Sequence, residues 1–206
     1  MNNTRMLDAI RQSGENISHQ RYQPDQTIFY PGNYATGLYI LKEGKVKLER
    51  GDEWGRTQML GVAVPGECIG YHSVFTKSPH HHMAVALTKV ELIHLHQSAV
   101  PEFLAKHPDL MKSLLLQMAE ENEGLQVRLS QAFGSSAHER ISEAILKLRE
   151  IDPERAWSRK DIAEWAGTTP ETVTRTLQEL EKSGLILLRG RAILLTQQFV
   201  NANQKH

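Results

Sequence analysis

Glu171, Thr172, Thr174, Arg175 and Gln178 are spaced to lie on one flank of a helix, with Val173, Leu177 and Leu180 on the other. Side chains of these types donate to and accept from base edges. An Arg bonds a guanine bidentately, and a Glu accepts from a cytosine amine. Glu171 and Arg175 also stand at the spacing of an i,i+4 ion pair. Thr168 or Thr169 suits an N-cap, and Pro170 falls in the first turn, where a missing N–H costs little. Upstream, Ser158 and Asp161 make a capping box for a helix that buries Ile162, Ala163 and Ala166 and breaks at Gly167. Downstream, apolar runs at 185–188 and 192–195 flank the basic turn Arg189-Gly190-Arg191. The segment reads as a helix-turn-helix with a β-wing whose expected partner is double-stranded DNA. Glu171, Thr172, Thr174, Arg175 and Gln178 are candidates for contact with DNA, with Thr169, Arg189 and Arg191 beside them as candidates for phosphates and other DNA contacts. A trihelical scaffold without DNA contact is the alternative; caps, polar flank and basic turn together favour the first reading.

The elements that must carry this unit fill 206 residues, enough for more than one core. Lys plus Arg equal Asp plus Glu at 24 each, so no global basic field exists and affinity for nucleic acid has to be local and doubled by a second copy. One cysteine excludes an internal disulfide, a Cys-rich zinc site and a four-cysteine iron–sulfur cluster. No signal peptide and no bilayer-length apolar run are found, so a soluble, cytoplasmic protein without membrane contact is expected. Gly-rich phosphate loops, a nucleophile elbow and a metal-protease helix are missing, which leaves an enzyme without support.

The chain divides into an N-terminal helix and β-barrel (1–108), a long helix (109–133), a hinge (134–136) and the winged unit (137–206), an α+β architecture. Met6, Leu7, Ile10 and Ile17 are the expected inner positions of the first helix. From Tyr22 to Gln97, short apolar runs at 27–30, 37–41, 45–48, 57–60 and 90–95 alternate with glycine turns, as in a sandwich or barrel. Met111, Leu115, Met118, Asn122, Leu125, Leu129 and Ala132 then recur in steps of four and three, a heptad seam for a copy of the same helix, or one face of an intramolecular helix. Phe133 to Ser136 should break it, and Ile141, Ile145 and Leu148 mark a further helix under the helix-turn-helix.

In order, Pro31-Gly32, Leu38-Tyr39, Gly44-Lys45-Val46, Pro65-Gly66-Glu67 with Ile69-Gly70, His107-Pro108, Gln117-Met118-Ala119, and Asp161-Ile162-Ala163 through Gly184-Leu185-Ile186 resemble the CRP/FNR family of bacterial transcription regulators along nearly the whole chain. The resemblance implies a cyclic-nucleotide-binding-like jelly roll, a dimerisation helix, and a winged helix-turn-helix on a near-palindromic operator. It gives Glu171 and Arg175 the base-reading positions, and Thr174 the place where the nitrate/oxygen-type branch has Ser. Pro170 stands where the cyclic-AMP branch has a further Arg. The Asp52-Glu53 tip corresponds to a loop that meets RNA polymerase in some relatives, or is a solvated turn.

The same resemblance places the effector pocket in 66–86, with Glu67 beside it. Tyr71 falls at the ribose-binding Glu, His81 at the phosphate-binding Arg and His82 at the following Ser. Leu125 and Gln126 replace the Thr and Ser of the cyclic-AMP branch. Cyclic AMP is therefore not the expected effector, and the small molecule stays unidentified; an atypical nucleotide met by a protonated His is an alternative. His72-Ser73 matches a pair in the haem-dependent branch, which makes haem on His72 another alternative, although Met1-Asn2-Asn3 offers no second, proline ligand. His80 and His82 could share a metal; solvated loop histidines are the simpler expectation. Cys68 is expected to pack as a small hydrophobe. A ligand-independent regulator, and a small-molecule barrel controlling a protein partner, remain the competing readings.

Overall fold

The computed structural model describes residues 17–53 and 55–203, so Met6, Leu7 and Ile10 lie outside the described residues. The chain forms two compact units, Met1–Gly124 and Leu125–His206.

The first unit contains eight strands among its described residues: β1 (Ile17–Tyr22), β2 (Thr27–Phe29), β3 (Gly37–Glu43), β4 (Val46–Gly51), β5 (Thr57–Ala63), β6 (Cys68–Ile69), β7 (Met83–Ala86) and β8 (Val90–His96). They make two antiparallel sheets, in the orders β1-β8-β3-β6 and β2-β7-β4-β5. Strand alternation sorts the core. Tyr39, Leu41, Ile69 and Leu92 face the other sheet and meet Phe29, Val46, Ala63, Ala84 and Ala86. Their neighbours Leu38, Ile40, Cys68, Ile93 and Leu95 face the opposite way, onto Val74, Val100, Phe103, Leu104, Leu110 and Leu114. Those residues come from α1 (Tyr71–Thr76), α2 (Val100–Lys106) and the start of α3 (Pro108–Gly134). The middle strands β3 and β8 are covered on both faces over most of their length, which is why Leu38 to Leu41 read as a continuous apolar run.

Ile17 does not close an N-terminal helix. It opens edge strand β1 opposite Leu95 and packs on the helix-side cluster. Gly37 is required by close approach: a Cβ there would sit 2.1 Å from the Leu95 carbonyl oxygen.

The second unit holds the end of α3, then α4 (Ala137–Ile151), α5 (Arg159–Ala166), α6 (Pro170–Lys182), the hairpin β9 (Ile186–Arg189) with β10 (Ala192–Leu195), and α7 (Gln197–Asn203). Ser136 and Ser158 each form a full capping box, with Glu139 and Asp161. Gly167 caps α5 at φ +62°, the left-handed geometry that lets the chain turn into α6. Ile141, Ala144, Ile145 and Leu148 of α4, Ile162 and Ala163 of α5, Val173, Leu177 and Leu180 of α6, and Phe199 are buried.

Candidate nucleic-acid interface and effector cassette

Thr169, the N-cap of α6, accepts from the Thr172 N–H at 3.3 Å, and Pro170 takes the first helical position. Burying Val173, Leu177 and Leu180 turns Glu171, Arg175 and Gln178 to solvent, with Thr172 and Thr174 half-exposed between them. The Glu171 carboxyl is held below the usual carboxylate range, first by its own backbone N–H at the helix start and then by the Thr169 hydroxyl. No ion pair joins Glu171 to Arg175 among the described residues, so the arginine fork is left for another acceptor. Thr174 Oγ1 donates to the Pro170 carbonyl at 2.8 Å, so outward the residue offers an acceptor oxygen and a methyl group. Arg189 and Arg191 flank Gly190, both exposed. The Leu188 N–H donates to Glu181 Oε1 of α6 at 2.8 Å, which ties the hairpin to the recognition helix.

Along α3, Leu110 and Leu114 are buried in the barrel cluster, while Met111, Leu115, Met118, Leu125, Leu129 and Phe133 are exposed. Leu129 is 61% exposed and Phe133 86%, in a helix where leucine and phenylalanine normally seek cover. Asn122 and Gln126 are exposed on the same stretch.

The residues of the effector cassette, 66–86, stand in four different environments. Glu67 closes its own turn: its Oε2 accepts the Val64 N–H at 2.9 Å, and burial pushes its carboxyl up, with Glu121 and Glu120 adding to the effect. Tyr71 is buried and donates to Glu121. Gln117 reinforces that contact. Its amide accepts from Cys68 N at 2.8 Å, and its Nε2 donates to Cys68 O at 2.9 Å and to Glu121 Oε1 at 2.6 Å. Cys68 itself is buried, and burial pushes its thiol up to about 12. His72 and His81 are exposed, His72 on the outside of α1.

His80 and His82 depart from the expectation of solvated loop residues. The His80 N–H donates to Asn33 O and its carbonyl accepts from Gly32 N, both at 2.8 Å, beside the Tyr34–Pro79 bridge. That clamp carries the His80 ring inward, stacked on Phe29 with centroids 4.0 Å apart, while His82 meets the same ring edge-on at 5.5 Å. Burial, then His80, His72, His81 and Arg50, lowers the His82 imidazole to about 4. Burial lowers His80 and His94 as well. His82 is thus neutral near pH 6 and is not a cationic clamp for phosphate. Among the described residues no group of three or more His, Cys, Asp or Glu side chains is placed to hold a metal ion. No helix among them is long and apolar enough to cross a membrane.

Residue types and spacing do not announce the Gln117–Glu121–Tyr71 chain or the contacts of Arg128 and Arg140. The first had a faint signal in Gln117-Met118-Ala119; the second had none.

Comparison with known proteins places both regions. Residues 19–107 match the cyclic nucleotide-binding domain, and residues 139–198 match the Crp-like helix-turn-helix domain. The chain is 25% identical over 179 residues to the CRP-like cAMP-activated global transcriptional regulator of Mycobacterium tuberculosis, covering 82% of this chain and 80% of that one. It is 27% identical over 183 residues to the fumarate and nitrate reduction regulatory protein of Escherichia coli, covering 84% and 72%. A transcriptional regulator of the CRP/FNR family from Thermus thermophilus superposes with a TM-score of 0.78 at 24% identity, covering 91% and 99%.

Proposed function

Because the chain belongs to the CRP/FNR family of transcription regulators, we propose that it works as a homodimer on a near-palindromic operator, one α6 in each half-site. The family is one of DNA-binding regulators rather than enzymes. In this reading Glu171, Thr174 and Arg175 specify bases, and Thr169, Thr172, Gln178, Arg189 and Arg191 hold phosphates or neighbouring atoms. The observation that carries it is the division of α6 into a buried apolar back and an exposed polar front whose arginine has no partner among the described residues. The exposed apolar stripe of α3 supports self-association, with Asn122 setting register among Met111, Leu115, Met118, Leu125 and Leu129.

The effector is a small molecule other than tightly held cyclic AMP, or no effector acts. Supporting this, Tyr71 is engaged by Glu121, His81 stands where the resemblance expects the phosphate-binding Arg, and the adjacent His82 is neutral. In this reading RNA polymerase is the protein partner, and the cytoplasm is the compartment. The experiment is selection of duplexes from a randomised pool, followed by binding measured against salt. A recovered inverted repeat, bound far more tightly than random DNA at equal salt, supports the reading. Equal affinity for selected and random duplexes refutes it.

A further inference from the structure

The side chain of Arg140 joins two helix ends. Its Nε donates to the Ala166 carbonyl at 3.0 Å, and its Nη1 donates to the Ser135 carbonyl at 2.7 Å. Ser135 follows the last residue of α3, and Ala166 is the last residue of α5, just before the turn at Gly167. Carbonyls at helix C-termini have no intrahelical donor and carry the negative end of the helix dipole. A rigid guanidinium answers two of them in two fixed directions, which an ammonium on a flexible stem does not. The same junction is braced twice more. Arg128 of α3 lies 5.3 Å over the ring centroid of Trp165, the residue before Ala166. Gln131 Nε2 donates to Glu143 Oε2 of α4 at 2.5 Å. Arg140 therefore ties the expected hinge segment to the C-terminus of the first helix of the helix-turn-helix, and α6 follows from that helix through the Gly167 turn.

We propose that Arg140 is a positioning residue that sets the separation of the two recognition helices, and so the half-site spacing the protein accepts. The proposal rests on the homodimer reading given above. In a two-fold dimer seamed through Leu125 and Leu129, the angle between the end of α3 and its own helix-turn-helix fixes where each recognition helix enters the groove. Arg140 acts through Ser135 and Ala166 rather than by reading DNA.

The test uses full-length protein and the duplex it selects from a randomised pool, with one base pair added to or removed from the central spacer. Each step moves a half-site by about 3.4 Å and rotates it by about a tenth of a turn. Wild type is expected to lose about tenfold or more in affinity for either change, comparable to one mismatched base pair. Arg140→Ala is expected to shrink that penalty to about threefold or less, with base preferences inside each half-site unchanged. Arg140→Lys, which keeps the charge and loses the fork, should fall between, and it carries the comparison if Arg140→Ala does not fold. Ile145→Val weakens the core without touching the brace and should keep the wild-type penalty, which separates positioning from loss of stability. A wild-type penalty in either folded Arg140 variant overturns the proposal. So does a relaxed penalty in Ile145→Val. A wild-type protein indifferent to spacing refutes the homodimer reading first, and the proposal with it.

Discussion

The hydroxyl of Tyr71 donates to the carboxylate of Glu121, fifty residues further along the chain, and Gln117 donates to the other oxygen of the same carboxylate. The position that the family resemblance gives to a ribose-binding acid is thus occupied by a donor already committed to α3. Tyr71→Phe should lower the unfolding free energy of the barrel by about 1–2 kcal/mol, the worth of one hydrogen bond to a charged group that is partly exposed. Glu121→Gln should cost no more, and the double variant less than the sum. Urea unfolding of the three variants checks the cycle; strict additivity would mean that the bond contributes nothing.

Arg175→Ala should cost about 1–3 kcal/mol on the selected operator and relax preference at one base pair. Arg191→Ala should weaken binding to every sequence and flatten the salt slope. Titrations of selected and random duplexes at several salt concentrations distinguish the two. An equal loss on both duplexes for Arg175→Ala removes its base-reading role.

Met118→Asp places a charge in the exposed apolar stripe and should yield monomers that bind the operator weakly. Asn122→Leu should instead stabilise association and admit misregistered species. Sedimentation equilibrium reads both, and a Met118→Asp protein that remains fully dimeric shows the seam to lie elsewhere.

Calorimetry with cyclic AMP near neutral pH should show micromolar binding or weaker. Tyr71 brings a phenol where a carboxylate acceptor is needed, and His81, at the place the resemblance gives to the phosphate-binding Arg, is an imidazole rather than a guanidinium fork, with the neighbouring His82 neutral. Sub-micromolar binding coupled to tighter operator binding would sink this expectation.

Folded His82 has its imidazole lowered to about 4, while in the unfolded chain it returns to the ordinary 6.5. The unfolded state therefore binds the extra proton first as pH falls. The stability is intact above about pH 6.5 and is lost on the way down to about 4, on the order of 3 kcal/mol in all and about 2 kcal/mol between pH 7 and pH 5. His82→Asn should remove that portion of the acid sensitivity. Urea midpoints at pH 7 and pH 5 for both proteins measure it, and an unchanged acid dependence would place the ring in water.

The helix-turn-helix was legible because its signals are local. Ser158 with Asp161, Gly167, Thr169 with Pro170, and the i, i+4, i+7 run of Val173, Leu177 and Leu180 all lie within one short stretch, and each does in the structure what its type suggests. The barrel was legible only where strands are long. Cys68–Ile69 is too short to show alternation, and Met83–Ala86 has two alanines, which fit small gaps against Phe29 and Val46 rather than announcing a strand. Ile17 carries the apolar type of a helix face, and only its pairing with Leu95 makes it a strand. His80 was read as solvated because nothing in its own neighbourhood foretells Phe29 waiting from another strand. Arg140 was silent for a different reason: both its partners are backbone carbonyls, which every residue type possesses.

Cys68 is the chain's one cysteine, buried on β6 with its backbone N–H and C=O both held by Gln117 of α3. A thiol so placed, pushed up to about 12, is shielded from oxidants and alkylating reagents while β6 stays docked. The protein accordingly carries its own clock for local opening. The rate at which a thiol reagent labels Cys68 under native conditions counts how often the cassette strand parts from the long helix, with no dye, tag or added residue to disturb it.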